Sequence, residues 1–242
     1  MRLRIFAFSV FAITALVWSL AAQQPAGAQG GGGRGAGGGA GRGGAAAGGA
    51  GRGQAAPLPL FFKETWKDTT GNIPLTQDAV ANSDLVLAQY GPGNKDDFGI
   101  TSEGNMNHIW TGLCNSACAV TLKHKASFVD LTGKARMKWA IKTSGFHEVR
   151  PVLKLADGTY LIGDHTDSST LDYRESEFYF ADVHWLKANM PKVLTTGKVL
   201  ATVDLSKVDE IGFADLTPGS GHGDGGYSDV SWIEVYGKPV PR

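Results

Sequence analysis

This sequence predicts an all-β fold, a jelly-roll β-sandwich over residues 57–242, preceded by a segment that cannot pack. Three observations predict it. After Pro57 the apolar residues come in short or alternating runs rather than at helical spacing; Gly, Asp, Asn and Pro punctuate those runs; and the stretch has an ordinary length for one sandwich domain.

The elements ahead of the domain come first. Arg2 and Arg4 precede an apolar run from Ile5 to Leu20, and Ala26-Gly27-Ala28 follows it. That order of charge, apolar run and small residues is a secretory signal, residues 1–28, cleaved after Ala28. The run is short for a span of about 20 residues, so no membrane span is expected after cleavage, and the protein is expected in a periplasm or outside the cell. Residues 29–56 are almost entirely Gly, Ala, Arg and Gln, without an aromatic or β-branched side chain. Such a segment buries too little to offset ordering entropy and reads as a disordered spacer.

Charge separates the segments. The chain has 23 basic and 23 acidic residues; removing the five arginines before Pro57 leaves 18 basic against 23 acidic, a formal balance of −5. That deficit argues against nucleic acid as a partner, because phosphate binding needs a basic surface. The only cysteines, Cys114 and Cys118, stand four apart and would form a small-loop disulfide in an oxidising compartment.

Strands are expected at residues 60–66, 85–90, 108–113, 119–123, 127–131, 135–142, 147–155, 159–162, 176–180, 199–203, 210–216 and 229–236. In the clearest of them Ala135, Met137, Trp139 and Ile141 share one face, which makes Trp139 a core residue. His147, Val149, Pro151, Leu153 and Leu155 do the same in the next, and Asp157-Gly158 turns the chain into Thr159–Ile162. The opposite faces carry Arg136, Lys138, Glu148, Arg150 and Lys154, expected on one sheet surface across a Ser144-Gly145 turn. A solvated outer face accounts for such positions, and so does recognition of hydroxyls or carboxylates.

Sugar recognition also needs rings, because the apolar face of a pyranose packs on an aromatic side chain. Trp110, Tyr173, Trp185 and Tyr227 each fall beside a loop or polar stretch, and the ligand-binding set is therefore Trp110, Arg136, Lys138, Glu148, Arg150, Lys154, Tyr173 and Trp185. Glu175 and Glu177 share a face at a spacing of two, a loose fit to glycosidase carboxylates. His165 and His184 sit among aspartates, as turn residues do. The nucleophile elbow, the P-loop and the zinc-protease motif are absent. Glu64, Asp215, Asp229 and Glu234 are the carboxylates near the two ends of the domain, and they would supply a structural calcium if the terminal strands pair. A glycine-rich loop follows Asp215.

The closing segment, Val208-Asp209-Glu210-Ile211-Gly212-Phe213 and then residues 229–237, resembles the last two strands of galactose-binding-like jelly rolls. That resemblance implies a carbohydrate-binding module of an exported bacterial protein, with a structural calcium near the termini. A weaker resemblance, through the spacer and the all-β domain, is to exported concanavalin-like domains of bacterial 3-keto-disaccharide hydrolases. The sequence is thus read as an exported, non-catalytic carbohydrate-binding domain. Its rivals are a glycan hydrolase or lyase using Arg150, Glu148 and either His147 or His184, and a structural envelope protein without a small ligand.

Overall fold

Alternating apolar residues pair as strands because only pairing meets their backbone hydrogen bonds while one face is buried. A computed structural model describes residues 57–68, 74–92, 98–216 and 226–242, all within one compact unit, Gly53–Arg242. The signal, the whole of the spacer and most of the glycine-rich loop after Asp215 lie outside the described residues. In chain order the strands are β1 (Leu60–Glu64), β2 (Leu85–Tyr90), β3 (Gly99–Glu103), β4 (Met106–Trp110), β5 (Cys118–His124), β6 (Ser127–Asp130), β7 (Arg136–Thr143) and β8 (Val149–Leu155). They continue as β9 (Tyr160–Gly163), β10 (Arg174–Tyr179), β11 (Trp185–Asn189), β12 (Leu194–Thr196), β13 (Val208–Asp215), β14 (Ser228–Tyr236) and β15 (Lys238–Pro241). No described helix is long and apolar enough to cross a membrane.

The strands make two antiparallel sheets, as the jelly-roll reading requires. The first runs β10-β7-β14-β4-β3 with β1 also on β14; the second runs β12-β11-β9-β8-β13-β5-β2, with β6 joining β13 and β15 to each other. Between them lies the core. Met137, Trp139 and Ile141 of β7 and Val230, Ile233 and Val235 of β14 meet Leu122, Leu153, Leu161, Ile211 and Phe213 of the second sheet. Trp139 is a core residue as expected, and its indole N–H donates to Asp167 Oδ2 at 2.8 Å. Asp167 also accepts from Arg174 and lies 3.1 Å from His165 Nε2.

Two differences from the sequence reading matter for function. First, β7 and β8 are not sheet neighbours: β7 pairs with β10 and β14, β8 with β9 and β13. Gly145, at φ +68°, turns the chain across the sandwich edge instead of folding it into a hairpin. Secondly, residues 199–203 form no strand, whereas β3, β11, β12 and β15 were not anticipated. These four are edge, hairpin or terminal strands, where the half-buried alternation that marks a strand fades.

Candidate functional site: the outer face of the first sheet

Pairing register puts the outward side chains of β10, β7, β14 and β1 into rows. One row reads Tyr179, Arg136, Tyr236, Leu60; the next Glu177, Lys138, Glu234, Lys63; the next Glu175, Ala140, Trp232. A fourth runs Lys142, Asp229, Trp110, Gly99 into β4 and β3. Period two alone would not set Asp229 and Trp232 on one face, three residues apart. A bulge between Val230 and Trp232 makes up the extra residue, with Ser231 turned in and its Oγ donating to the Asn107 carbonyl at 3.0 Å.

Rings and charges interleave across this face. The Arg136 guanidinium lies 4.0 Å from the centre of the Tyr236 ring, and the Lys63 ammonium 5.3 Å from that of Trp232. Lys138 Nζ is 2.7 Å from Glu177 and Lys63 Nζ 2.8 Å from Glu234, which also accepts from the Tyr236 hydroxyl at 2.7 Å. Those two donors hold the Glu234 carboxyl below the usual range, against the opposing pull of its partial burial. Trp110 lies over Gly112, where any Cβ would strike its ring.

At the Trp110 end the face becomes buried. Asp229 is 4% exposed, with Oδ1 3.5 Å from His108 Nε2, and Tyr173 packs its ring 5.7 Å from His108 and beneath Lys142. Burial pushes the Asp229 carboxyl up to about 8 and His108 down, so neither is charged near neutrality and their contact is a polar one. Burial also raises the Tyr173 phenol. Acid and base 3.5 Å apart are closer than the roughly 5–9.5 Å that lets two groups flank a glycosidic bond.

Of the residues expected to bind ligand, Trp110, Arg136, Lys138 and Tyr173 therefore share this face. The others do not. Arg150 and Lys154 point outward from β8, on the second sheet, and Glu148 stands just before β8, 3.3 Å from Arg150. The single polar surface expected across the Ser144-Gly145 turn is thus two surfaces on opposite sheets. Trp185 is 3% exposed, stacked on Phe180 inside the sandwich, and offers a sugar no ring. Trp232, Tyr236 and Tyr179 were missed. For Trp232 and Tyr236 the signal was the alternation of residues 229–236, which the bulge puts out of phase; for Tyr179 it was the alternation of Glu175, Glu177 and Tyr179 along β10.

The centre of the second sheet's outer face is covered. Met190 and Val193, from the turn between β11 and β12, pack over Val152, Ile162, Ala119 and Ala214. Beside them the Tyr90 and Tyr160 hydroxyls meet at 2.8 Å, and Glu210 accepts from Tyr90, Thr121 and Lys154 at 2.8, 2.6 and 2.7 Å. Desolvation pulls the Lys154 ammonium down, but its bonds to Glu210 and Tyr160 outweigh that and raise it. Burial and the same two partners raise Tyr90.

The four carboxylates expected to hold calcium are not brought together. The terminal strands do pair, but Glu64 faces inward and Glu234 outward. Glu64 is fully buried and accepts backbone N–H bonds from Thr65, Trp66, Ala81 and Asn82 at 2.7–3.1 Å, so its charge is already met. Asp215 accepts from Thr111 and Ser228 at 3.0 Å each and lies 2.6 Å from His147 Nδ1, inside the sandwich. Asp229 lies with His108 on the far side of the first sheet. Among the described residues no group of three or more His, Cys, Asp or Glu is placed to hold a metal. Of the residues named for a hydrolase, His147 is buried against Asp215, while His184 is exposed and contacts Asp164 at 2.8 Å. Cys114 and Cys118 form the expected disulfide.

No family model matches the chain, and no curated protein matches it. Solved structures similar to it include a family 11 carbohydrate-binding module from Clostridium thermocellum in complex with a β-1,3-1,4-mixed-linked tetrasaccharide, at 15% identity over 74% of this chain and 98% of that one, TM-score 0.43. A family 29 carbohydrate-binding module from Piromyces equi matches at 15% identity over 74% of this chain and 90% of that one, TM-score 0.41. An exo-β-agarase matches at 8% identity and TM-score 0.38, over 67% of this chain but only 24% of its own length. These are likenesses of strand arrangement, and the assignment of residues to the site rests on the rows described above.

Proposed function

We propose that this protein is an exported, non-catalytic domain that binds carbohydrate on the outer face of its first sheet. The observation that carries the reading is the row arrangement itself: Trp232, Tyr236, Tyr179 and Trp110 stand outward among paired charges on one sheet surface. Pyranose rings pack on aromatic faces, and their hydroxyls exchange bonds with the carboxylates and ammoniums between them. The disulfide fits an oxidising compartment, and the sequence of residues 1–56 fits export followed by a tether. The balance of −5 over residues 57–242 speaks against nucleic acid as the ligand.

Co-sedimentation of the full chain with insoluble polysaccharides tests the reading. The protein is expected to pellet with at least one of them and to release no reducing sugar, and Trp232→Ala is expected to weaken retention by tenfold or more, as loss of a stacking ring of about 1.5 kcal/mol requires. Release of reducing ends would make it an enzyme. Failure to pellet with any glycan would leave an envelope protein without a small ligand.

A further inference from the structure

We propose that the first-sheet face takes an uncharged polysaccharide, held over Ala140 between Trp232 and Glu175; this rests on the carbohydrate reading above. A face built for uronate or sulfate keeps a cation free to meet it. Here Lys63 ends on Glu234, Lys138 on Glu177 and Lys142 on Glu103, at 2.8, 2.7 and 2.6 Å, while Arg136 stacks on Tyr236 and lies 3.6 Å from Glu177. Every cation on the face among the described residues is answered by a carboxylate.

The acceptor side is the reverse. Glu175 is exposed and has neither ion pair nor hydrogen bond among the described residues. It opens the row that continues through Ala140 to Trp232. Two inter-strand steps separate Glu175 from Trp232, about 10 Å at about 4.8 Å each, and Ala140 between them is 3% exposed, its methyl group covered by the longer side chains around it. A sugar ring lying on Trp232 brings a hydroxyl within reach of Glu175, which accepts its hydrogen. An anionic chain in the same place would meet Glu175 with no free cation beside it.

The test is affinity electrophoresis of the full chain through gels containing neutral polysaccharides (a β-glucan, a mannan, a xylan) or anionic ones (a polyuronate, a sulfated galactan), at about 50 and about 500 mM NaCl. Retardation is expected in a neutral gel, changing less than about twofold with salt, since no ion pair is screened. Glu175→Gln is expected to weaken it about tenfold, the loss of a bond to a charged acceptor. Glu177→Gln, which frees Arg136 and Lys138, is expected to gain salt-sensitive binding to the polyuronate. Salt-sensitive retardation of the wild type by anionic polymers alone would overturn the inference while leaving carbohydrate binding standing. Neutral binding unchanged in Glu175→Gln would remove the role given to Glu175. Retardation in no gel would overturn the carbohydrate reading itself, and this inference with it.

Discussion

Asp229 occupies an outward position on β14 yet is almost wholly buried, and its carboxyl is pushed by that burial up to about 8. An unfolded aspartate ionises near 3.9, so between about pH 4 and about pH 8 the folded chain holds a proton that the unfolded chain has released. Stability therefore falls as pH rises across that window and levels off above it. His108 acts oppositely: burial lowers it, so its contribution is lost as pH falls below its unfolded value near 6.5. Glu103, Lys142 and Tyr173 are the other ionisable groups coupled to this pair. Asp229→Asn stays neutral throughout, so its melting temperature should gain on the wild type progressively from pH 4 to pH 8. Parallel curves for the two proteins would mean that Asp229 is ionised in the fold. At Glu64 the sign of substitution is opposite. Glu64→Ala orphans four backbone donors and should cost about 3–5 kcal/mol by denaturant unfolding.

At the scale of elements, the segment from Cys114 to Cys118 leads into β5, and the disulfide closes a loop with a sequence separation of four. So small a loop removes little unfolded-state entropy: reduction, or Cys114→Ala with Cys118→Ala, should lower stability by about 2 kcal/mol without unfolding the domain at room temperature. A loss of cooperative unfolding would show that the bridge holds more than its turn. The same scale shows what was legible beforehand. The inward faces of β7 and β8 were, because Met137, Trp139 and Ile141, and Val149 and Leu153, alternate without interruption. Which sheet each strand joins was not, since that depends on Gly145 carrying the chain over an edge rather than on any periodicity. The site was half legible for the same reason. Trp110, Arg136 and Lys138 belong to it by their own strands and Tyr173 by the turn into β10, but Trp232 and Tyr236 reach it only through the bulge at Ser231, and Trp185, beside a polar stretch in sequence, is drawn inward against Phe180.

Across the whole molecule, the two outer faces have opposite characters. The centre of the second sheet's face is covered by Met190 and Val193, and Val193 sits at φ +48°, a conformation a β-branched residue adopts only where packing enforces it. Beside them Lys154, Glu210, Tyr90 and Tyr160 are bonded to one another. The first sheet's face leaves rings and a carboxylate outward. The proposed binding therefore falls on one side of the sandwich and not on the other. Isothermal titration of the full chain with a soluble oligosaccharide that it retains, repeated on Trp232→Ala and on Arg150→Ala with Lys154→Ala, tests this most directly. The affinity read from the titration should fall tenfold or more in the first variant and stay within about twofold of wild type in the second, whereas loss of binding in the second with retention in the first would move the site to the other sheet.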